Sequence, residues 1–338
     1  MRALVLAGGR GSRLAPLTPV LPKPLAPVAN RPVLAWVLDQ LAAAGITETG
    51  VIVPASDVAL YETVFGATTR SGVRVRWLAE SAPAGTGGCL KEQAAFIGRG
   101  PVLVVPADIL SGTDLPALAA HHRRVGAAVT VAAVRREARE WAGDTLNPGP
   151  APGLAAGYRF KPDPTGTNVL GSTGAWVVEP RVLDLIPGKG MCDFSSGVLP
   201  LLPRPGLELG VFDAGAVYLR DIGTPRKLLT GNTEALGGTA PLALPAPPGP
   251  VARVDDGAVL RGRVLLGPGA AVAAGVRITG PAVIGPHARI GAGAVIDRAV
   301  VLPGARIAPG ARVAGEIAGQ PDLAREVLVR HGAEGSRP

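Results

Sequence analysis

The chain is poor in the residues that most often carry covalent chemistry: of 338 residues only two are cysteine and four are histidine. Cys89 and Cys192 stand far apart with no metal-ligand spacing, and a thiol nucleophile would need a histidine partner. His121 and His122 precede two arginines on a predicted helix, so both thiols read as buried bystanders. Aromatic residues make up 4% of the chain and no dense Lys/Arg block occurs, which argues against a nucleic-acid partner even though the net charge is +8. Anionic small substrates explain that charge as well. No apolar run approaches the roughly 20 residues of a membrane span, and the N-terminus reads as a core strand rather than a signal peptide. A cytoplasmic protein with no membrane partner is expected.

Glycine and proline, by contrast, are abundant at 47 and 34 residues, while 47% of the chain is hydrophobic, enough to fill a substantial core. Residues 6–25 read LAGGRGSRLAPLTPVLPKPL and follow the apolar run Ala3, Leu4, Val5. This is a strand feeding a phosphate-binding loop. Gly8, Gly9 and Gly11 leave backbone N–H groups uncovered for polyphosphate oxygens or a base edge, and Arg13 and Lys23 supply positive charge. A glycine turn after a strand also suits dinucleotide binding. Pro16, Pro19, Pro22 and Pro24 exclude a crossover helix directly behind the glycines, so an extended, charged loop is predicted.

Periodicity then predicts a helix over 34–44, a strand over 51–53, a helix over 57–65 and a strand over 73–78. Gly85-Thr86-Gly87-Gly88 opens a helix running through Lys91 and Phe96. A buried strand over 102–105 ends at Pro106-Ala107-Asp108, followed by a helix over 115–125 and a strand over 127–134. This alternation predicts an α/β fold with a Rossmann-like, mostly parallel sheet. Ligands bind such sheets at the C-terminal strand ends, where the glycine loop and Asp108 both fall.

Residues 237–250 read as a stiff Pro/Gly linker. Beyond it Val254, Leu260, Leu266, Val272, Ile278, Ile284, Ile290, Ile296 and Leu302 recur at every sixth position, often followed by a small residue such as Gly267, Gly285 or Gly291. The register slips by one before Ile307 and Val313. Such a hexapeptide repeat predicts a left-handed parallel β-helix over 251–318, with one aliphatic inside each rung and small residues at the corners. A terminal segment, 319–338, contains a predicted helix over 322–329 that would cover the open end of the stack. β-Helices of this kind occur in acyltransferases, where His287 would have to serve as base, and as appended oligomerisation or regulatory domains. The second role is favoured, with a homo-oligomer formed through the β-helix.

The run 6–25 resembles the GGxGxRLxPLTxxxPKP motif of the sugar-1-phosphate nucleotidyltransferases, and the resemblance covers residues 1–236. It implies nucleotide contacts from Leu6, Ala7, Gly8, Gly9, Gly11 and Ser12. The segment Pro83-Ala84-Gly85-Thr86-Gly87-Gly88 is similar to the family loop that grips the base, adding Gly85, Thr86, Gly87 and Pro106 to that set. Asp108 matches the family's metal-binding Asp, with Ala107 in place of the usual glycine. Asp221, in Asp221-Ile222-Gly223-Thr224-Pro225, looks like the second metal ligand. Two carboxylates from distant strands suit Mg²⁺, which keeps its remaining positions for phosphate oxygens. Each Asp could instead cap a helix.

The implied reaction is attack by a sugar 1-phosphate oxygen on the α-phosphorus of a nucleoside triphosphate, releasing pyrophosphate. Arg13 would stabilise the leaving group and Lys23 the phosphate oxygens as catalytic residues. Lys161, in Phe160-Lys161-Pro162, resembles the EKP lysine that holds the acceptor phosphate. Phe160 replaces the usual acid there. Ser172, Thr173 and Gly174 stand where relatives have NAG or SMG, and Asp193 begins a segment resembling DFGKD whose lysine has become Ser196. These changes predict a less polar acceptor pocket, suited to a sugar or cyclitol 1-phosphate such as valienol 1-phosphate. The base loop looks most like that of guanylyltransferases, so GTP is favoured over ATP. A mannose-1-phosphate guanylyltransferase, a glucose-1-phosphate adenylyltransferase and a non-catalytic regulatory subunit are the alternatives. Retention of Arg13, Lys23, Asp108, Asp221 and Lys161 argues against the last.

Overall fold

The computed structural model describes all residues except Arg10, Pro19, Pro150, Pro164, Thr165, 245–251 and 334–338. The later part of the predicted linker, the first β-helix residue and the end of the tail therefore lie outside the described residues. Strand β1 (Arg2–Leu6) is covered on both faces, which is why its apolar run is continuous. Successive side chains still diverge, Ala3 and Val5 entering one core and Leu4 the other. β2 (Glu48–Pro54) runs parallel to β1, with β3 (Arg74–Glu80) beyond it, and β4 (Val102–Pro106) is parallel on the opposite side. The rest of the nine-stranded sheet comprises β5 (Val129–Glu137), β6 (Thr145–Pro148), β7 (Ala155–Arg159), β8 (Asn168–Val178) and β9 (Leu209–Asp213). β8 pairs antiparallel with β4, β5 and β6, while β9 rejoins β5 in parallel.

The helices follow the predicted periodicity closely: α1 (Val33–Ala43), α2 (Val58–Phe65), α3 (Gly85–Glu92) and α4 (Leu115–Val125). α4 begins where the Asp114 side chain accepts the Ala117 N–H and ends where Gly126 turns left-handed. The predicted extension of α3 through Phe96 is a separate turn, Ala94–Ile97. No crossover helix follows the glycines, as the prolines require, yet the loop is not extended. It winds through two short 3₁₀ turns, Ser12–Leu14 and Lys23–Leu25, because Leu14, Leu17, Leu21 and Leu25 turn inward to the core.

After α5 (Pro225–Gly237) the chain forms three four-stranded parallel sheets, the walls of a left-handed β-helix. Wall residues stack on residues 18 positions later, as in Val259 on Arg277 and Ile278 on Ile296. Gly267, Gly285 and Gly291 sit at corners where an added Cβ would lie 2.4–2.5 Å from the backbone of the next coil. The register shift comes earlier than the repeat predicts: Ile284 already stacks on Val301, 17 residues on. Val301, not Leu302, therefore fills the prism, and Leu302 joins the core cluster of the N-terminal domain. Val254 and Leu260 are 43% and 37% exposed rather than interior, since no described coil lies above them. Helix α6 (Pro321–His331) does not simply cap the stack. Its Ala324 and Leu328 join the catalytic core, and Ala333 donates its N–H to Val64 O of α2 at 2.9 Å.

Candidate active site

A cavity of about 670 Å³ opens at the C-terminal ends of β1 to β4. Leu6, Ala7, Gly8, Gly9, Gly11, Ser12 and Arg13 line it, together with Lys23, Pro106, Asp108, Gly85 and Thr86. Gly11 is required by its own geometry: its φ is +62°, and a Cβ there would sit 3.0–3.1 Å from Thr18 and Lys23. A Cβ on Gly8 would fall 2.3 Å from Glu80 Oε2, so the glycine lets the loop lie against that carboxylate.

Strand Ile109–Ser111 pairs antiparallel with Leu219–Asp221, which brings Asp108 and Asp221 together from distant parts of the chain. Ile222 N–H donates to Asp108 O at 2.9 Å, fixing the register. Lys23 Nζ bonds Asp108 Oδ2 and lies 3.5 Å from Asp221 Oδ1, while Lys227 Nζ bonds Asp221 Oδ2. Burial alone would raise the Asp221 carboxyl; the Lys227 hydrogen bond and the charges of Lys23, Lys227 and Arg13 outweigh it and hold the group below its usual value. Neither carboxylate caps a helix. Thr224 caps α5 and Asp114 caps α4.

Two residues of the base loop act differently from the sequence reading. The Gly87 and Gly88 N–H groups both donate to Cys192 O, at 2.9 and 3.1 Å, and Gly87 does not line the cavity. They dock segment 192–194 onto α3 rather than facing a base. Thr86 Oγ1 donates to Asp193 Oδ2 at 3.0 Å and accepts the Phe194 N–H at 2.8 Å. Asp193 lines the cavity but also accepts the Ser195 and Ser196 N–H groups, so much of its acceptor capacity is already taken.

The acceptor half departs furthest. Gly174 lines the cavity, as do Trp176, Met191 and Ser195. Phe160 is 43% exposed and outside it, with the Lys161 ammonium 4.8 Å from its ring centre. Thr173 is buried and donates to Ala132 O, a structural bond. Ser172 also lies outside the cavity lining. A polar cluster that the sequence did not single out stands nearby: Tyr158 Oη donates to Asp144 Oδ2 at 2.6 Å, and the Lys161 N–H donates to Asp144 Oδ1 at 3.1 Å. Burial, and then the Asp144 charge, raise the Tyr158 phenol, with Ser195 and Ser172 hydrogen-bonding beside it. Trp176 and Met191 give this side of the cavity an apolar part, while Phe160, from which the apolar acceptor pocket is predicted, lies outside it.

Neither thiol has the surroundings of a nucleophile. Cys89 Sγ donates to Glu80 Oε1 at 3.0 Å, and burial together with that carboxylate pushes the thiol up; burial does the same to Cys192. His122 is buried, held by Thr130 and Glu179, and remote from both. In the β-helix His287 stacks on His331 with ring centres 4.1 Å apart, so it is packed rather than poised as a base. Among the described residues no cluster of three or more His, Cys, Asp or Glu forms a metal site from protein groups alone. The two aspartates still fit a hard cation that takes one or two carboxylates and draws its other ligands from substrate. A larger cavity of about 970 Å³, beside Arg135, Trp141 and Arg159, holds none of the predicted site residues.

Comparison with known proteins gives this geometry a lineage. The family model for nucleotidyl transferases matches residues 2–237. The chain is 34% identical to the mannose-1-phosphate guanylyltransferase of Mycobacterium tuberculosis, over 78% of this chain and 73% of that protein. The chain belongs to the sugar-1-phosphate nucleotidyltransferase family. Fungal mannose-1-phosphate guanyltransferases are also similar, at 30% identity: that of Candida albicans over 68% of this chain and 63% of its own length, that of Saccharomyces cerevisiae over 71% and 66%. As a nucleotidyltransferase, the chain puts weight on residues that the motif reading passed over. Glu80 lines the cavity beside Gly8, and Lys227 pairs with Asp221 from the first turn of α5. Glu80 precedes the base-loop glycines by only five residues, but nothing in its own sequence context marks it as facing the cavity.

Proposed function

We propose that this nucleotidyltransferase joins GTP to a sugar 1-phosphate, giving a GDP-linked sugar and pyrophosphate. One observation carries the reading: Arg13, Lys23, Asp108 and the Glu80 carboxylate line a single cavity, with Asp221 beside Lys23. Glu80 Oε1 accepts the Ala84 N–H at 3.0 Å, and the carboxylate is an acceptor-only group. Guanine presents two adjacent donors, N1–H and the 2-amino group, that such an acceptor can satisfy. Adenine presents an acceptor at N1 and would leave a half-buried carboxylate facing a lone pair.

The reaction needs no covalent enzyme intermediate, so positioning and charge neutralisation supply catalysis. Lys23 holds phosphate oxygens near the α-phosphorus and Arg13 faces the departing pyrophosphate. The glycine-loop N–H groups orient the triphosphate. Asp108 and Asp221 are the residues that would hold a divalent cation, for which we favour Mg²⁺; such an ion neutralises phosphate charge. Lys227 keeps Asp221 ionised.

For the acceptor we favour a hexose 1-phosphate of the kind named for the relatives, because Ser195 lines the cavity with the Tyr158–Asp144 pair behind it, a polar wall able to meet a sugar hydroxyl. We further propose catalytic residues 1–236, a β-helix through residue 318 used for homo-oligomerisation, and a cytoplasmic setting. No described helix is long and apolar enough to cross a membrane. The test is pyrophosphate release from GTP and Mg²⁺ with mannose, glucose, heptose and valienol 1-phosphates. Preference for a hexose supports the polar wall. Preference for valienol 1-phosphate returns the acceptor to the apolar reading of Phe160, and binding of GTP without turnover would point to a regulatory subunit.

A further inference from the structure

The loop that carries Arg13 and Lys23 has almost no sheet to hold it. Its backbone bonds are local: Leu14 N–H to Gly11 O, Leu17 to Leu14, Leu21 to Leu17, and Ala26 to Lys23, at 2.8–3.1 Å. What holds it is its apolar underside. Leu14, Leu21 and Leu25 have no solvent exposure, and Leu17 has 4%. Part of the surface beside Leu21 and Leu25 comes from the other end of the chain. Pro286 and Pro303 of the β-helix and Ala324, Val327 and Leu328 of α6 line the same small cavity as these two leucines. Asn30, in the hairpin that follows the loop, adopts a left-handed φ of 66° and donates its side-chain N–H to Ile284 O of the β-helix at 3.1 Å. Its neighbour Ala29, also left-handed, donates its N–H to Asn232 Oδ1 at 2.8 Å. Ala29 and Asn30 are the two central residues of a hairpin in which Val28 pairs with Arg31, a turn that calls for positive φ at both, so the link to the β-helix here is the Asn30 hydrogen bond itself.

We infer that the β-helix and α6 are a buttress for the phosphate-binding loop, with Leu328 and Asn30 as positioning residues that act on Lys23 through Leu21, Leu25 and the hairpin. This role rests on Lys23 being the phosphate-binding residue. The β-helix is therefore part of the catalytic apparatus as well as an appended module. Lys23 meets Asp108 on one face of the loop, and two residues away Leu21 and Leu25 meet a surface supplied by residues 286–328. Small displacements at such a point are costly, since misplacing a reacting group by about 1 Å lowers rates by roughly 100-fold.

The experiment uses full-length Leu328→Ala and Asn30→Gly. Asn30→Gly removes the cross-domain hydrogen bond while tolerating positive φ, so it remains informative should Leu328→Ala fold poorly. Hydrogen exchange is read at residues 14–26 against β1 and β4. The expected result is faster exchange in the loop with unchanged protection in the two strands. Unchanged loop protection, or acceleration everywhere, overturns the buttress. In turnover, Leu328→Ala should lower kcat about tenfold with GTP KM within about threefold, and Leu328→Met should restore most of it. Combined with Lys23→Ala, Leu328→Ala should cost nothing further; losses that multiply would show that Leu328 does not act through Lys23. If the wild type releases no pyrophosphate with any sugar phosphate, the functional reading fails while the exchange measurement still decides the buttress.

Discussion

In the part of the cavity proposed for the nucleotide, much of the wall comes from one stretch of sequence, Leu6 to Arg13, the stretch that carries the motif. In the acceptor half Phe160 and Lys161 sit outside the cavity, and Asp144, Tyr158 and Ser195 gather nearby from three separate segments. The first half is made by backbone: a strand end and glycines whose freedom fixes where N–H groups point. The second is made by side chains on an antiparallel ribbon. There the pairing decides which face each residue takes, and it is irregular, with a register shift between Ala155 and Gly157 in β7 and another between Ser172 and Trp176 in β8. A shift of one residue reverses the facing of all that follow.

That contrast can be broken from the nucleotide side. Asp108→Asn should lower kcat about 1000-fold with the thermal midpoint nearly unchanged, because it removes charge where phosphate charge develops. Turnover within tenfold of wild type would remove Asp108 from the reaction. Lys23→Ala should cost about 100-fold in kcat, the scale of losing one positioned donor. Glu80→Gln should shrink GTP-over-ATP discrimination by roughly 10- to 100-fold, since an amide can serve either purine, while kcat with GTP falls less. Unaltered discrimination would place the base elsewhere.

The acceptor side sharpens the contrast with small effects. Phe160→Glu should change kcat/KM for hexose 1-phosphates by no more than about threefold, as an exposed charge outside the cavity contributes little. A large shift in acceptor preference would mean that this ribbon closes over substrate. The smallest effect concerns pH. Burial holds the His122 imidazole below its usual value, so its share of stability is complete above the ordinary histidine range and declines as pH falls toward the depressed value. The thermal midpoint should therefore drop on going from pH 7 to pH 5, less steeply in His122→Gln. Identical slopes would exclude His122 as the source.

The α/β alternation and the hexapeptide repeat were legible from local pattern, whereas the pairing of Asp108 with Asp221 was legible only through the resemblance of their segments to the family's metal-binding motifs. The junction was not. Leu302 looked like one more rung, yet a 17-residue coil turns it out toward Val283, Val300 and the catalytic core. The hydrophobicity of Leu21 and Leu25 likewise gave no sign of what would cover them. Glu80 was missed because a carboxylate at a strand end is ordinary until the opposing glycine loop is in place.

The most direct measurement is kcat/KM of the wild-type protein for GTP, ATP, UTP and dTTP with mannose 1-phosphate and Mg²⁺, read as pyrophosphate release. A carboxylate at the base end predicts GTP ahead of ATP by at least about 100-fold. ATP equal to or ahead of GTP would contradict the role given to Glu80 and the guanylyltransferase reading with it.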